Sequence, residues 1–137
     1  MRVVPRVVIV SASEIPAGFN REHRLHQPKE FAAVISASKA FRGNSFDLLF
    51  LETQTQKQAR LGLIVPKRLA RAASLRNAIK RQGREAFRLS LARFADCDLV
   101  LRLKRPANQA KPQLRQQLRL WRGEIEALFD RLANRNT

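Results

Sequence analysis

Residues 74–94 read SLRNAIKRQGREAFRLSLARF, and the rest of the chain is organised around them. Wound as a helix, the stretch sets Arg76, Lys80, Arg84 and Arg88 four residues apart. Each such step turns only about 40° around the helix axis, so these side chains form one cationic ridge. Asn77 and Arg81 widen it. The opposite face carries Leu75, Ile79, Ala86 and Phe94, an apolar stripe fit to seat on a core. Like charges at this spacing repel by a few tenths of a kcal/mol per pair. A solvated helix face normally mixes both signs, yet Glu85 is the only acid between Lys57 and Arg93. The pattern asks for a polyanion, and the excess of Arg over Lys suits bidentate capture of phosphate.

On the N-terminal side, Ser74 is placed to cap this helix. Before it runs a basic connection holding Lys67, Arg68 and Arg71. Pro66 closes the strand RLGLIV, residues 60–65, because proline cannot donate to a ladder. Gly62 inside that strand, and Gly83 inside the helix, mark close approaches, at Gly62 of another backbone. The polar run 53–59 reads as a hairpin loop back to a second strand, FDLLFLE at 46–52. Phe46, Leu48 and Phe50 share one face of it; Asp47, Leu49 and Leu51 share the other. A turn cluster at 42–45 separates this strand from a helix expected over Pro28 to about Lys39. Phe31, Val34, Ile35 and Ser38 fall on one face of that helix. Residues 1–22, broken by Pro5, Pro16 and Gly18, read as a mobile N-terminal extension, with Val7–Val10 a candidate edge strand. The domain proper is expected over 23–137.

On the C-terminal side, DLVLRLK at 98–104 alternates as a strand does, with Val100, Arg102 and Lys104 on one face. A last helix starts near Pro112, and Leu114, Leu118, Trp121, Ile125, Leu128 and Leu132 form its apolar seam. The order helix, strands, basic helix, strand, helix specifies an α+β sandwich, a sheet with helices packed against it.

The 137 residues suit one domain with a real core. Hydrophobic residues make up 45% of the chain, which argues against disorder. Against 11 acids stand 27 Lys and Arg, a net charge of +16. That surplus points to nucleic acid rather than to an anionic membrane, which would favour bulky apolar anchors on the basic helix. The lone Cys97 excludes an intrachain disulfide and a Cys-cluster zinc site, and fits a reducing, cytoplasmic setting. No stretch approaches the roughly 20 apolar residues of a membrane span. Asp96 and Asp98 flank Cys97 at a strand entry and are expected to form a turn rather than a metal site. With His23 and His26 both near the N-terminal arm, no nucleophile–base constellation is expected. No residue reads as catalytic or metal-ligating. The RNA-binding set is Lys67, Arg68, Arg71, Arg76, Asn77, Lys80, Arg81, Arg84 and Arg88.

The block LGLIVPKRLARAASLRNAIKRQGREAFRL, residues 61–89, resembles the protein component of bacterial ribonuclease P. Arg24-Leu25, Phe31 and Arg105-Pro106-Ala107 support the likeness, which spans about residues 22–133. The resemblance implies a fold like the second domain of ribosomal protein S5, with a left-handed βαβ crossover through the basic helix. It implies removal of the 5′ leader from precursor tRNA, with a catalytic RNA holding Mg²⁺ and doing the chemistry. The implied partners are that RNA and precursor tRNA, with no membrane and no obligate protein partner. By position, Lys67, Arg68, Arg76, Asn77, Lys80, Arg81 and Arg84 would carry the helix-side role. Phe31, Ile35 and Leu49 would line a leader cleft with Arg68 at its rim, although Phe31 reads as core from periodicity alone. Three departures stand out: Ala78 where the family motif has arginine, and Ile35 and Leu49 where it favours aromatics. Each lost platform weakens base stacking by about 1–3 kcal/mol. The alternative class is a ribosomal-type or general RNA chaperone with no role in tRNA processing.

Overall fold

A computed structural model describes residues 23–53, 58–94, 97–107 and 111–135. The N-terminal extension, with its candidate strand at Val7–Val10, lies outside the described residues, as does Asp96. The elements run α1 (Pro28–Ser36), β1 (Ala40–Arg42), β2 (Phe46–Glu52), β3 (Arg60–Ile64), α2 (Ala73–Ser90), a 3₁₀ turn at Leu91–Arg93, β4 (Cys97–Leu103) and α3 (Lys111–Asn134). The α+β architecture is the expected one.

The sheet order is β1-β2-β4-β3. β4 pairs antiparallel with β2 and parallel with β3, so β3–α2–β4 is the βαβ unit through the basic helix. The expected β2–β3 hairpin is therefore wrong: β4 lies between the two strands. Polar loop composition shows that a chain turns, not which strands become neighbours.

Strand alternation gives the sheet two apolar faces. On one, Phe46, Leu48, Leu61, Leu99, Leu101 and Leu103 pack with Ile79 and Phe87 of α2 and with Trp121, Ile125 and Phe129 of α3. Burying each such side chain contributes about 1.5–3 kcal/mol, which makes this the main core. Gly83 lets α2 settle here, since a Cβ would meet Leu63 Cδ2 at 2.8 Å and Leu101 Cδ2 at 3.1 Å. On the other face α1 covers a smaller cluster of Leu25, Val34, Leu49 and Val100.

Cross-strand partners on the α1 face form rows. Ala40, Leu49, Val100 and Gly62 make the middle row, under α1. Leu51, Asp98 and Arg60 make the row on one side of it. Arg42, Asp47, Arg102 and Ile64 make the row on the other, toward the C-terminal ends of β3 and β4.

Local chemistry explains the boundaries. Glu30 closes the start of α1 by accepting the backbone N–H of His26 at 2.6 Å and of Gln27 at 2.9 Å. The helix stops at Ser36 rather than Lys39 because Ser38 adopts a left-handed φ of 59°, which turns the chain into β1. β1 is too short, at three residues, to show a period. α2 begins at Ala73 with Ala72 as an uncapped N-cap, so Ser74 sits inside the first turn. It ends at Ser90, and Phe94 reaches back from beyond the 3₁₀ turn to stack on Phe87 at 5.7 Å. At Gly62 the close approach is a side chain, not a backbone: a Cβ there would lie 2.7 Å from Phe31 Cζ and 3.0 Å from Leu25 Cδ1.

Candidate RNA interface

The basic connection folds as a turn in which Leu69 and Ala70 donate backbone N–H groups to Pro66 O at 3.0 and 3.1 Å. Leu69 and Ala70 are buried, and Ala107 N–H holds Leu69 O at 2.7 Å. This anchoring leaves Lys67, Arg68 and Arg71 exposed just past the end of β3. Because β3 and β4 run parallel, Arg102, Lys104 and Arg105 come to the same end of the sheet.

On α2 the ridge divides by what each side chain touches. Arg76 braces the turn, donating through Nη1 to Ala70 O at 3.0 Å and Arg71 O at 2.7 Å. Arg88 is held by Glu85, through Nε at 3.2 Å and Nη2 at 2.9 Å. That bond raises the pKa of Arg88 and lowers that of Glu85. Lys80, Arg81 and Arg84 have no acidic partner within ion-pair distance among the described residues. Burial first, then the charges of Arg24 and Arg81, push the pKa of Arg84 below its ordinary value. An anion at Arg84 would relieve that repulsion. Arg24 bridges to Leu61, so this part of the ridge lies along the outer edge of β3. Asn77 is exposed beside it. Ala78, where the family motif has arginine, lies off the line of Arg76, Lys80 and Arg84. It shares a flank with Gln82, whose Oε1 accepts the Arg122 guanidinium of α3 at 3.2 Å.

The expected cleft residues separate as well. With Val34 fully buried beneath α1, Glu30 projects about 40° to one side and Phe31 and Ile35 about 60° and 100° to the other. Glu30 accepts Arg60 Nη1 at 2.9 Å, and Arg60 forks onto Asp98 at 2.9 and 2.8 Å. This chain fixes one flank of α1 over the Arg60–Asp98 row. Its backbone contacts to Gln27 and His26, followed by Arg60, hold the Glu30 carboxyl at about 2. The Phe31–Ile35 flank therefore faces the Arg42–Asp47–Arg102 row. Phe31 is half-buried against Gly62, and Ile35 is 38% exposed. Leu49 is buried at 5% and belongs to the cluster under α1, so it is not an open platform.

Among the described residues no three His, Cys, Asp or Glu side chains gather as metal ligands. Asp98 is occupied by Arg60, and Asp47 by Arg42, Arg102 and Lys104, so the donor set does not fit a divalent ion. No helix of the described residues is long and apolar enough to cross a membrane.

The sequence model of the family described as Ribonuclease P matches residues 19–132. The chain belongs to the ribonuclease P protein family.

A ribonuclease P protein component from Bordetella petrii is 41% identical over 116 residues, covering 81% of this chain and 92% of that one. One from Azoarcus is 39% identical over 99 residues, covering 69% and 82%. The ribonuclease P protein of Staphylococcus aureus shares the fold at a TM-score of 0.68 and 20% identity, covering 82% of this chain and 98% of that one. That of Thermotoga maritima does so at 0.61 and 23%, covering 79% and 96%. Beyond the residues expected from sequence, this chain carries a further basic face. Arg42, Arg102 and Lys104 join the exposed end of the sheet, and only the alternation of Arg102 and Lys104 along β4 hinted at it.

Proposed function

We propose that this chain binds the catalytic RNA of ribonuclease P and the single-stranded 5′ leader of precursor tRNA, and so assists Mg²⁺-dependent removal of the leader. The observation that carries the reading is family membership over residues 19–132, joined to a basic strip of Lys80, Arg81 and Arg84 with no acidic partner among the described residues. Lys67, Arg68, Asn77, Lys80, Arg81 and Arg84 engage the catalytic RNA, with Arg71 and Arg76 shaping the turn and Arg88 at the margin. Phe31 and Ile35 form the apolar wall of the leader cleft, over a floor that includes Leu49, with Arg68 at the rim. Hydrolysis belongs to the RNA, which with the substrate holds the Mg²⁺; the protein contributes charge neutralisation where two RNAs meet. The complex works in the cytoplasm and needs no further protein.

The test mixes the purified protein with a bacterial ribonuclease P RNA at low Mg²⁺ and follows leader release from a precursor tRNA. Release faster than with RNA alone is expected. An unchanged rate would reduce the chain to a general RNA-binding protein, and cleavage without the RNA would move the chemistry onto the protein. Within the cleft, Phe31→Ala is expected to weaken binding of precursor tRNA more than of mature tRNA. Equal losses would return Phe31 to a purely structural role.

A further inference from the structure

Asp47 sits in the middle of the row that faces the Phe31–Ile35 flank of α1, between its cross-strand partners Arg42 and Arg102. Its side chain is only 3% exposed, and three cations share it. Arg42 Nη1 lies 3.3 Å from Oδ2, Arg102 Nη2 lies 3.7 Å from the same oxygen, and Lys104 Nζ lies 2.8 Å from Oδ1. One carboxylate neutralises one of these charges, so the cluster keeps a surplus of two. Tying β1, β2 and β4 together would need only Arg42 on one side of the carboxylate and Arg102 on the other, and gathering Lys104 as a third like charge around it costs energy. The cationic side chains are also not sealed in: Arg42 is 72% exposed, Arg102 35% and Lys104 31%. Asp47 thus acts as a buried anchor that holds three cationic heads at one open surface.

We propose that Asp47 is a positioning residue for a phosphate-binding platform of Arg42, Arg102 and Lys104, which takes the backbone of single-stranded RNA on the floor of the cleft beside α1. The occupant follows from what flanks the platform. Phe31 and Ile35 offer an apolar wall for a base on one side, while the platform offers charge for its phosphate on the other. Single strands are bound by that pairing of base contact and cationic track, whereas a duplex keeps its bases stacked and paired. The platform also supplies contact by charge in a cleft where Ile35 and Leu49 offer no aromatic ring. Identifying the strand as the 5′ leader rests on the function proposed above; the binding of a single strand does not.

The experiment titrates the full chain with a short labelled single-stranded RNA and with a duplex RNA across a range of KCl. Arg42→Gln and Arg102→Gln are each expected to reduce the log–log salt slope for the single strand by about 0.7, with Arg42→Lys restoring it. The slope for the duplex stays unchanged. Unchanged single-strand slopes would overturn the platform, as would equal losses on both RNAs. Asp47→Asn separates positioning from bare charge, because it makes the protein more positive while removing the anchor. Single-strand binding is expected to weaken about fivefold, and tighter binding would overturn the positioning role. Thermal unfolding accompanies each variant, and the highly exposed Arg42 keeps the test available if Asp47→Asn fails to fold. If leader release is not stimulated while these slopes still shift, the proposed function falls and the platform stands. Normal stimulation with unchanged slopes would overturn the platform and leave the proposed function in place.

Discussion

Single atoms decide how α1 lies on the sheet. Gly62 leaves the space that the Phe31 ring fills, so Gly62→Ala is expected to push the ring outward and cost about 1–3 kcal/mol in urea unfolding. Gly83→Ala should show the same sign, although alanine is about 1 kcal/mol better than glycine inside a helix. The gain is lost because the new methyl would press on Leu63 and Leu101. Both glycines could be picked out in the sequence as close approaches. The neighbour at Gly62 could not, because it depends on the path of α1 across the sheet. Glu30 makes a different kind of prediction. Its folded pKa of about 2 lies below the ordinary 4.5, so its stabilising effect is complete above about pH 4.5 and fades as pH falls toward 2. Glu30→Gln should therefore lower stability at pH 6 by about 1.5–3 kcal/mol, and the two proteins should converge near pH 2. A constant gap across that range would remove Glu30 from the linkage.

At the scale of the element, α2 is two things at once. Leu75, Ile79, Gly83, Ala86 and Phe87 bury one side of it, while the other side carries its charge. The charge is not equivalent along its length. Lys80→Ala with Arg81→Ala is expected to lower the salt slope of RNA binding by about 1.4–1.8 units and to leave unfolding nearly unchanged. Arg76→Ala is expected to cost about 1 kcal/mol of stability as well, because it releases the turn carrying Lys67 and Arg68. An unaltered slope in the double variant would mean that this ridge faces only solvent. Periodicity was enough to read the helix and its two faces. It could not separate Arg76 from Lys80 and Arg81, because its partners come from a turn outside the helix, whereas the pairing of Arg88 with Glu85 three residues before it lies within the reach of helical spacing. The three-residue β1 and the central place of β4 were equally out of reach, since pairing is a long-range choice.

Over the whole molecule, charge is sorted rather than merely abundant. Every acidic side chain among the described residues is engaged: Glu30, Asp47, Glu52, Glu85, Asp98, Glu126 and Asp130 by cations, and Glu124 by the backbone N–H groups of Ser45 and Phe46 at 2.8 Å each. Among the described residues, Lys67, Arg68 and Arg105 near the C-terminal ends of β3 and β4, and Lys80, Arg81 and Arg84 on α2, have no acid within ion-pair distance. A net charge of +16 destabilises a compact state by self-repulsion, and a multivalent anion in that region should reverse it. Sulfate is expected to raise the unfolding temperature more than chloride does at equal ionic strength. An equal rise would indicate general screening without a site. The sign and size of the charge were plain in the composition; its sorting needed the fold.

The place of β4 also sets a clock. It is the last strand to leave the ribosome, yet it is the one that hydrogen-bonds both β2 and β3. Until residues 97–103 emerge, β1 and β2 can form a hairpin and α2 can coil, but among the described residues β3 has only the Arg24 bridge and no strand to join. Such distant pairing slows folding and leaves strand edges bare in the meantime. A nascent chain halted before Cys97 would thus show its basic helix to RNA while its sheet was still open.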